Sequence, residues 1–332
     1  MILNKPFLSV VIPVYNGADT VKRCLDSIWN QGIADELYEV ICVNDYSKDN
    51  TLDVLAVIQN EHHNLRVLSN SENLRAGGGR NYGVREANGE YILFIDADDY
   101  FHPGSLKRVV EYQQEKHLDI LVCDFARHTL DRPNDILVHN FKSQEVMTGR
   151  QFLVTNSLPY APWKYVFRRS LMIDNSVFFA EKVSCEDVDW THKLAFYANT
   201  MQYQPILLTH YILTDTSQTS VEYKNANTVF HRLECGRRIT ELLPFCKTDE
   251  EKNAILGVAA GTLKNGIIFL NGLIIAPSKK VRMIEKCVSK DVVWGGLVRF
   301  ASKYKWCYSC MSTIIAPLFR LAISVKRKYL GR

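Results

Sequence analysis

The residues with the clearest chemical potential are acids set close together. Asp96, Asp98 and Asp99 follow the apolar run Tyr91 to Ile95. If the strand continues through them, Asp96 and Asp98 point to the same face, and two like charges meet beside a buried sheet unless a divalent cation relieves the repulsion. Hard cations such as Mg²⁺ or Mn²⁺ take one or two carboxylates together with substrate phosphates. A solvated turn leading into a helix after Pro103 accounts for the same residues without a metal. A second acidic group, Glu186-Asp187 with Asp189, adjoins Trp190 between apolar stretches. Partial desolvation there raises a carboxyl toward the working range of a general base, although acids also collect at helix N-termini for purely electrostatic reasons. Gly77-Gly78-Gly79-Arg80 reads either as a backbone cradle for phosphate or as a flexible loop before a helix. It matches neither the dinucleotide fingerprint nor the P-loop.

These residues need a scaffold, and the first 125 residues supply one by alternating strand and helix signals. Apolar runs at Leu8 to Val14, Tyr38 to Val43, Arg66 to Ser69 and Tyr91 to Ile95 are separated by stretches whose apolar residues recur at helical spacing. Strands that read as continuous apolar runs are buried on both faces, as in a parallel sheet covered by helices. Ligands in such sheets bind beyond the carboxyl ends of the strands, where Tyr15-Asn16, Asn44-Asp45, Arg75 and Asp96 to Asp99 gather. Residues 125 to 155 are polar and carry no clear element signal, 206 to 213 read as a further strand, and the pattern after about Asn225 turns helical. The expected division is an α/β catalytic domain over 1–225 and a mainly helical, basic region over 226–332.

Composition narrows the alternatives. At 332 residues, 23% charged and 47% hydrophobic, the chain is an ordinary globular protein of about two domains, which excludes disordered, collagenous and coiled-coil classes. Its nine Cys are scattered rather than arranged as a framework of bridges, so they read as buried thiols of a cytoplasmic protein. The net charge of +4 conceals an asymmetry: residues 278–332 carry thirteen Lys and Arg against Glu285 and Asp291, a net +11, which leaves −7 on the other 277. Aromatics and aliphatics from Trp294 to Ile323 interleave with those cations, as expected at an anionic headgroup layer. The large aliphatics of 307–325 suit acyl chains better than bases, so the expected partner is the inner face of the cytoplasmic membrane, with no nucleic acid. Neither 254–277 nor 307–325 offers about 20 uninterrupted apolar residues for a membrane span.

Taken together, Ser9 to Gly17, Val43 to Thr51, Asn73 through Asn81, Gly89 to Asp99 and Glu186-Asp187 resemble family 2 glycosyltransferases of the GT-A fold, of the bacterial surface-polysaccharide type. The resemblance covers roughly residues 7 to 220. It implies a Rossmann-like, mostly parallel sheet flanked by helices, and an inverting transfer from a nucleotide-diphosphate sugar, UDP foremost, to a saccharide or lipid-linked acceptor. By that resemblance Pro13, Val14, Tyr15, Asn16 and Asp45 hold base and ribose, and Arg75 or Arg80 lies near the base or phosphates. Asp96 and Ala97 line the same pocket, and Asp98 with Asp96 engages the ribose and the metal on the diphosphate. Asp187 is the implied base, with Glu186 the weaker candidate, and His210 is either a third metal ligand or a structural residue. The chain departs from the family in Asn73-Leu74-Arg75 and in Gly77 to Gly79, and it has no Gln-x-x-Arg-Trp, so a processive synthase is not expected. A non-catalytic nucleotide-sugar-binding scaffold is the competing reading, opposed by the retained acids Asp96, Asp98 and Asp187.

Overall fold

The apolar runs become strands of one sheet in the computed structural model, which describes residues 5–128, 135–137, 141, 143–213 and 226–272. β1 (Leu8–Val14), β2 (Tyr38–Asn44), β3 (Leu65–Ser69) and β4 (Tyr91–Phe94) lie parallel in the order β3-β2-β1-β4. β1 is central, with Leu8 opposite Tyr38 on one side and Tyr91 on the other. Every residue of β1, β2 and β4 is buried. That two-sided burial is why these strands read as unbroken apolar runs rather than alternating ones. The crossovers are α1 (Val21–Trp29), α2 (Thr51–Glu61) and α3 (Arg75–Glu86).

Beyond β4 the sheet changes character. β8 (Tyr165–Arg168) runs antiparallel between β4 and β6 (Ile120–His128), and β9 (Met201–Ile212) lies parallel to β6. β5 (Tyr100–Phe101) pairs antiparallel with β9, and β7 (Asp135–Leu137) with β6. Register shifts around Asp124 bend the β6–β9 pair, as an extra residue in a ladder does. Four further helices complete this part: α4 (Ser105–Lys116), α5 (Gly149–Thr155), α6 (Arg169–Asp174) and α7 (Glu186–Tyr197). The stretch that carried no sequence signal thus holds the end of β6, β7 and α5, whose N-terminus is closed by a reciprocal capping box of Thr148 and Gln151.

The chain divides into two compact units, Met1–Thr214 and Asp215–Arg332. In the second, α8 (Ala226–Thr240) and α9 (Asp249–Gly272) bury Leu233, Ile239, Ile255, Leu256 and Leu263. No helix among the described residues is long and apolar enough to cross a membrane. The basic stretch from 278 onward, and the membrane contact expected of it, lie outside the described residues.

The glycine cluster is neither cradle nor loop. Gly77, Gly78 and Gly79 are buried within the first turns of α3. A Cβ on Gly79 would stand 3.0 Å from Pro13 Cβ, and one on Gly77 2.9 Å from the carbonyl oxygen of Ala180. The helix gives up propensity, about 1 kcal/mol per glycine, to lie directly against β1 and the chain before α7. Gly83 continues the same face: a Cβ there would approach Val11 Cγ1 to 2.3 Å. Gly83→Ala therefore gains helix propensity yet overpacks the central strand, and its predicted net effect is a loss of about 1–2 kcal/mol, read from the denaturant midpoint.

Candidate active site

Every strand end expected to carry chemistry opens on the same side of the sheet, and side-chain hydrogen bonds fix the loops there. At the end of β1, the backbone N–H of Asn16 donates to Ser47 Oγ (3.0 Å), and Asn16 Oδ1 accepts from the N–H of Lys48 (2.8 Å). Tyr15 is exposed at this rim. Pro13 and Val14, by contrast, are buried in β1. At the end of β2, Asp45 is buried and its Oδ1 accepts from Asn70 Nδ2 (2.7 Å) and the N–H of Leu74 (2.9 Å). Among the described residues its Oδ2 has no hydrogen-bond partner. Arg75 opens α3 with φ of 63° and donates to Ser184 Oγ at 2.8 Å.

The acidic turn differs from the strand geometry expected of it. β4 ends at Phe94, and Asp96 to Asp99 form a turn closed by the N–H of Asp99 on the Asp96 carbonyl (3.0 Å). Asp98 is exposed there, and its backbone carbonyl accepts from Arg23 on α1 at 2.5 Å. Ala97 is buried within the main core rather than facing the cleft. Asp99 is fully buried, with Oδ1 accepting from the N–H of Ile212 (2.8 Å). The mutual repulsion inferred from sequence is present in this turn. Surrounding protein, and next the charge of Asp96, push the Asp98 carboxyl up to about 6. Burial, followed by Asp96 and Asp98, pushes Asp99 well above the usual carboxylate range.

Arg80, placed by resemblance near base or phosphates, occupies a different position. It is buried on α3, donating from one amino group to Asp96 Oδ1 (2.6 Å) and from the other to Glu186 Oε1 (2.9 Å). Burial works against its charge, but Asp96 and Glu186 outweigh it and keep the guanidinium firmly protonated. Glu186 and Asp187 are the first two residues of α7, whose preceding residue Cys185 has φ of 62°. The desolvated carboxyl of that pair is Glu186, raised by burial while Arg80 pulls it down. Glu186 is thus committed to an ion pair, while half-buried Asp187 stands close enough to Arg80 and Tyr165 to act on their charges. Asp189 is buried against Lys193, one turn along the helix at 3.9 Å.

Could the acidic turn hold a divalent cation? Among the described residues no group of three or more His, Cys, Asp or Glu is assembled for a metal. A two-carboxylate set completed by substrate phosphates is the usual arrangement for Mg²⁺ or Mn²⁺. The raised carboxyl of Asp98, repelled by the neighbouring Asp96, fits that demand, since a cation offsets that repulsion. His210 does not join them as a free ligand, because both of its ring nitrogens face other histidines, His102 at 3.0 Å and His128 at 2.7 Å. Sequence reasoning also missed Arg23, because nothing in a helix surface arginine signals a carbonyl 75 residues away.

A parallel sheet with its acidic turn and a Glu-Asp helix start on one rim defines a nucleotide-diphospho-sugar transferase of the GT-A fold. The family model Glycosyl transferase family 2 matches residues 9–176, and the chain belongs to that family of sugar-transferring enzymes. It is 29% identical over 245 residues to the uncharacterized glycosyltransferase YibD of Escherichia coli K12, covering 71% of this chain and 70% of that protein. It is 42% identical over 114 residues to the poly(ribitol-phosphate) beta-glucosyltransferase of Bacillus spizizenii, covering 34% of this chain and 18% of that protein. The crystal structure of Staphylococcus aureus TarS 1–349 in complex with UDP-GlcNAc shares the fold, with a TM-score of 0.69 at 21% identity, 97% coverage of this chain and 91% of that one.

Two measurements test the electrostatics. Removing the guanidinium in Arg80→Met leaves Asp96 and Glu186 uncompensated, and is expected to cost about 3 kcal/mol of unfolding free energy. Adding Glu186→Gln should return part of that loss. For Asp98, the folded carboxyl, pushed up to about 6, lies above the ordinary carboxylate range, so the folded state holds this proton more tightly than the unfolded chain. Its contribution to stability is present at acid pH and lost as pH rises from about 4 to about 6. In metal-free buffer, the stability difference between the parent and Asp98→Asn should therefore change across that window and level off above it.

Proposed function

We propose that this enzyme transfers a sugar from a UDP-sugar to a hydroxyl of a saccharide or lipid-linked acceptor in surface-polysaccharide synthesis. In this reading the transfer is a single displacement with inversion. One observation carries it: Arg80 binds both the acidic turn after β4 and the first residue of α7, and so holds the donor side and the base side of the cleft together. Tyr15 and Asn16 border the base pocket, where the unpaired Asp45 Oδ2 is an acceptor for a base N–H. Arg75, which opens α3 and donates to Ser184 Oγ, is assigned to the diphosphate. Asp98, with the second oxygen of Asp96, would hold Mn²⁺ or Mg²⁺, which when bound neutralises charge on the leaving diphosphate.

Asp187 takes the proton of the acceptor hydroxyl. The hydroxyl oxygen then bonds to the anomeric carbon from the face opposite the diphosphate, whose bond to that carbon breaks with its electron pair leaving on UDP. The Glu186–Arg80 ion pair keeps Glu186 out of this proton transfer and fixes the start of the helix that carries Asp187. UDP as the nucleotide is supported by the UDP-GlcNAc complex of the S. aureus neighbour, and a phosphate-linked polyol or saccharide acceptor by the poly(ribitol-phosphate) transferases among the relatives. A solved neighbour, the Pyrobaculum calidifontis mannosyltransferase with GDP-Man and Mn²⁺, supports the cation. We place catalysis in residues 1–225 and assign residues 226–332 to docking at the inner face of the cytoplasmic membrane, the basic stretch from 278 onward supplying the charge.

Calorimetry of the purified chain with UDP-, GDP- and TDP-sugars, with and without Mn²⁺, tests the donor. UDP-sugar binding that requires the cation and disappears in Asp98→Ala is the expected result, and binding that ignores the cation overturns the metal role. Asp187→Asn should keep donor binding while transfer to acceptor drops by about 10²–10⁴-fold.

A further inference from the structure

Three histidines far apart in sequence form a continuous hydrogen-bonded chain beside the acidic turn. His102 follows β5, His210 lies on β9 and His128 ends β6. His102 Nδ1 stands 3.0 Å from His210 Nε2, and His210 Nδ1 stands 2.7 Å from His128 Nε2. Tyr100, the residue after Asp99, stacks on His210 with ring centroids 4.6 Å apart and planes within 8°. The Arg23 guanidinium covers the same tyrosine at 5.8 Å while it holds the Asp98 carbonyl.

Proton counting shows why this arrangement can hold without a charge. Each N···N contact needs one shared proton, and three neutral imidazoles bring three. Two protons fill the contacts and the third sits on an outer nitrogen, so the neutral chain is fully bonded. The central ring stays neutral as well, since burial and then its two histidine neighbours push His210 down to about 4.

Such a chain answers a mechanical problem. β5 is two residues long, pairing only Tyr100 with His210 and Phe101 with Thr209. Strands that short contribute little by themselves. Yet β5 must anchor a turn of three acids, two of which are raised by mutual repulsion and burial. Backbone tethers help, from His102 N–H to the Leu208 carbonyl (2.8 Å) and from Ile212 N–H to Asp99 (2.8 Å). The imidazole chain then links this short strand to both β9 and β6.

We propose that His102, His210 and His128 act as one positioning unit that clamps β5 to β9 and β6, fixing the acidic turn 96–99 in the place where the donor's diphosphate is received. The clamp itself is a property of the folded chain; its kinetic consequence rests on the donor-binding reading above. His210→Phe keeps the stack on Tyr100 and removes both hydrogen bonds, whereas His210→Gln retains a donor and an acceptor. His128→Phe removes one contact from the other side and serves if His210→Phe does not fold.

Amide hydrogen exchange over peptides containing residues 96–102 reads the clamp with no substrate present. Exchange at least about tenfold faster in His210→Phe, partly restored in His210→Gln, with the protection of β1 and β2 unchanged, is the expected result. Parent-like exchange in His210→Phe, or in His128→Phe where that variant stands in, overturns the proposal. In transfer assays, the same variant should raise the donor KM about tenfold and change kcat far less. An unchanged KM beside faster exchange would confine the unit to local stability and overturn its role toward the donor. Absence of transfer by the parent chain would instead strike the functional reading, and exchange would still decide the clamp.

Discussion

Arg80 sits where a lone charge would cost several kcal/mol, and it is tolerated because Asp96 and Glu186 meet its two amino groups. The pairing has consequences in both directions. It neutralises two carboxylates that would otherwise repel each other, and it ties the turn after β4 to the start of α7, which the chain reaches 90 residues later. The acids of the turn after β4 and of the start of α7 are therefore set by one buried group rather than by two independent loops. The cost of removing any member of such a triad is the cost of leaving the others unpaired, which explains why Glu186 has little freedom to serve as a base.

That guanidinium reaches its position only because α3 lies unusually close to the sheet. Gly77, Gly79 and Gly83 present no side chain to Ala180, Pro13 and Val11, so the helix backbone approaches where any larger residue would collide. The rim around it is built from backbone conformations that most residues avoid. Asn16, Tyr46, Arg75, Lys182 and Cys185 all have positive φ, and they lie just after strand ends, at the start of α3 or at the approach to α7. Strain of this kind, of order 1–3 kcal/mol per residue, persists only where surrounding contacts over-determine it. Here the Asn16–Ser47–Lys48 bonds and the Asp45–Leu74 bond supply those contacts.

The acidic turn shows the same logic from the electrostatic side. Three carboxyls within four residues are held by a backbone turn, by the arginine of a preceding helix and by a short strand reinforced with histidines. Burial and mutual repulsion raise the proton affinities of Asp98 and Asp99. Rigid supports on three sides let that repulsion be stored in place rather than relaxed by splaying the loop.

The sequence by itself determined the parallel half of the sheet, because strands buried on both faces must be apolar throughout and their partners must be amphipathic helices. It also determined on which rim the polar residues gather, since those tolerated at the ends of such strands collect on one side. Tertiary structure decided the rest. Arg80, Asp96 and Glu186 are separated by 16 and 106 positions, so no spacing rule could reveal their pairing. The triple glycine carries one composition for two opposite uses, an open loop or a tightly packed helix, and only the neighbour across the gap distinguishes them. Pro13, Val14 and Ala97 match a motif by identity, yet whether a side chain faces ligand or core depends on which surface its strand or turn presents. His102, His128 and His210 are unremarkable singly; the curl of the sheet brings their three strand ends to one place, and long-range pairing of that kind leaves no periodic trace in the chain.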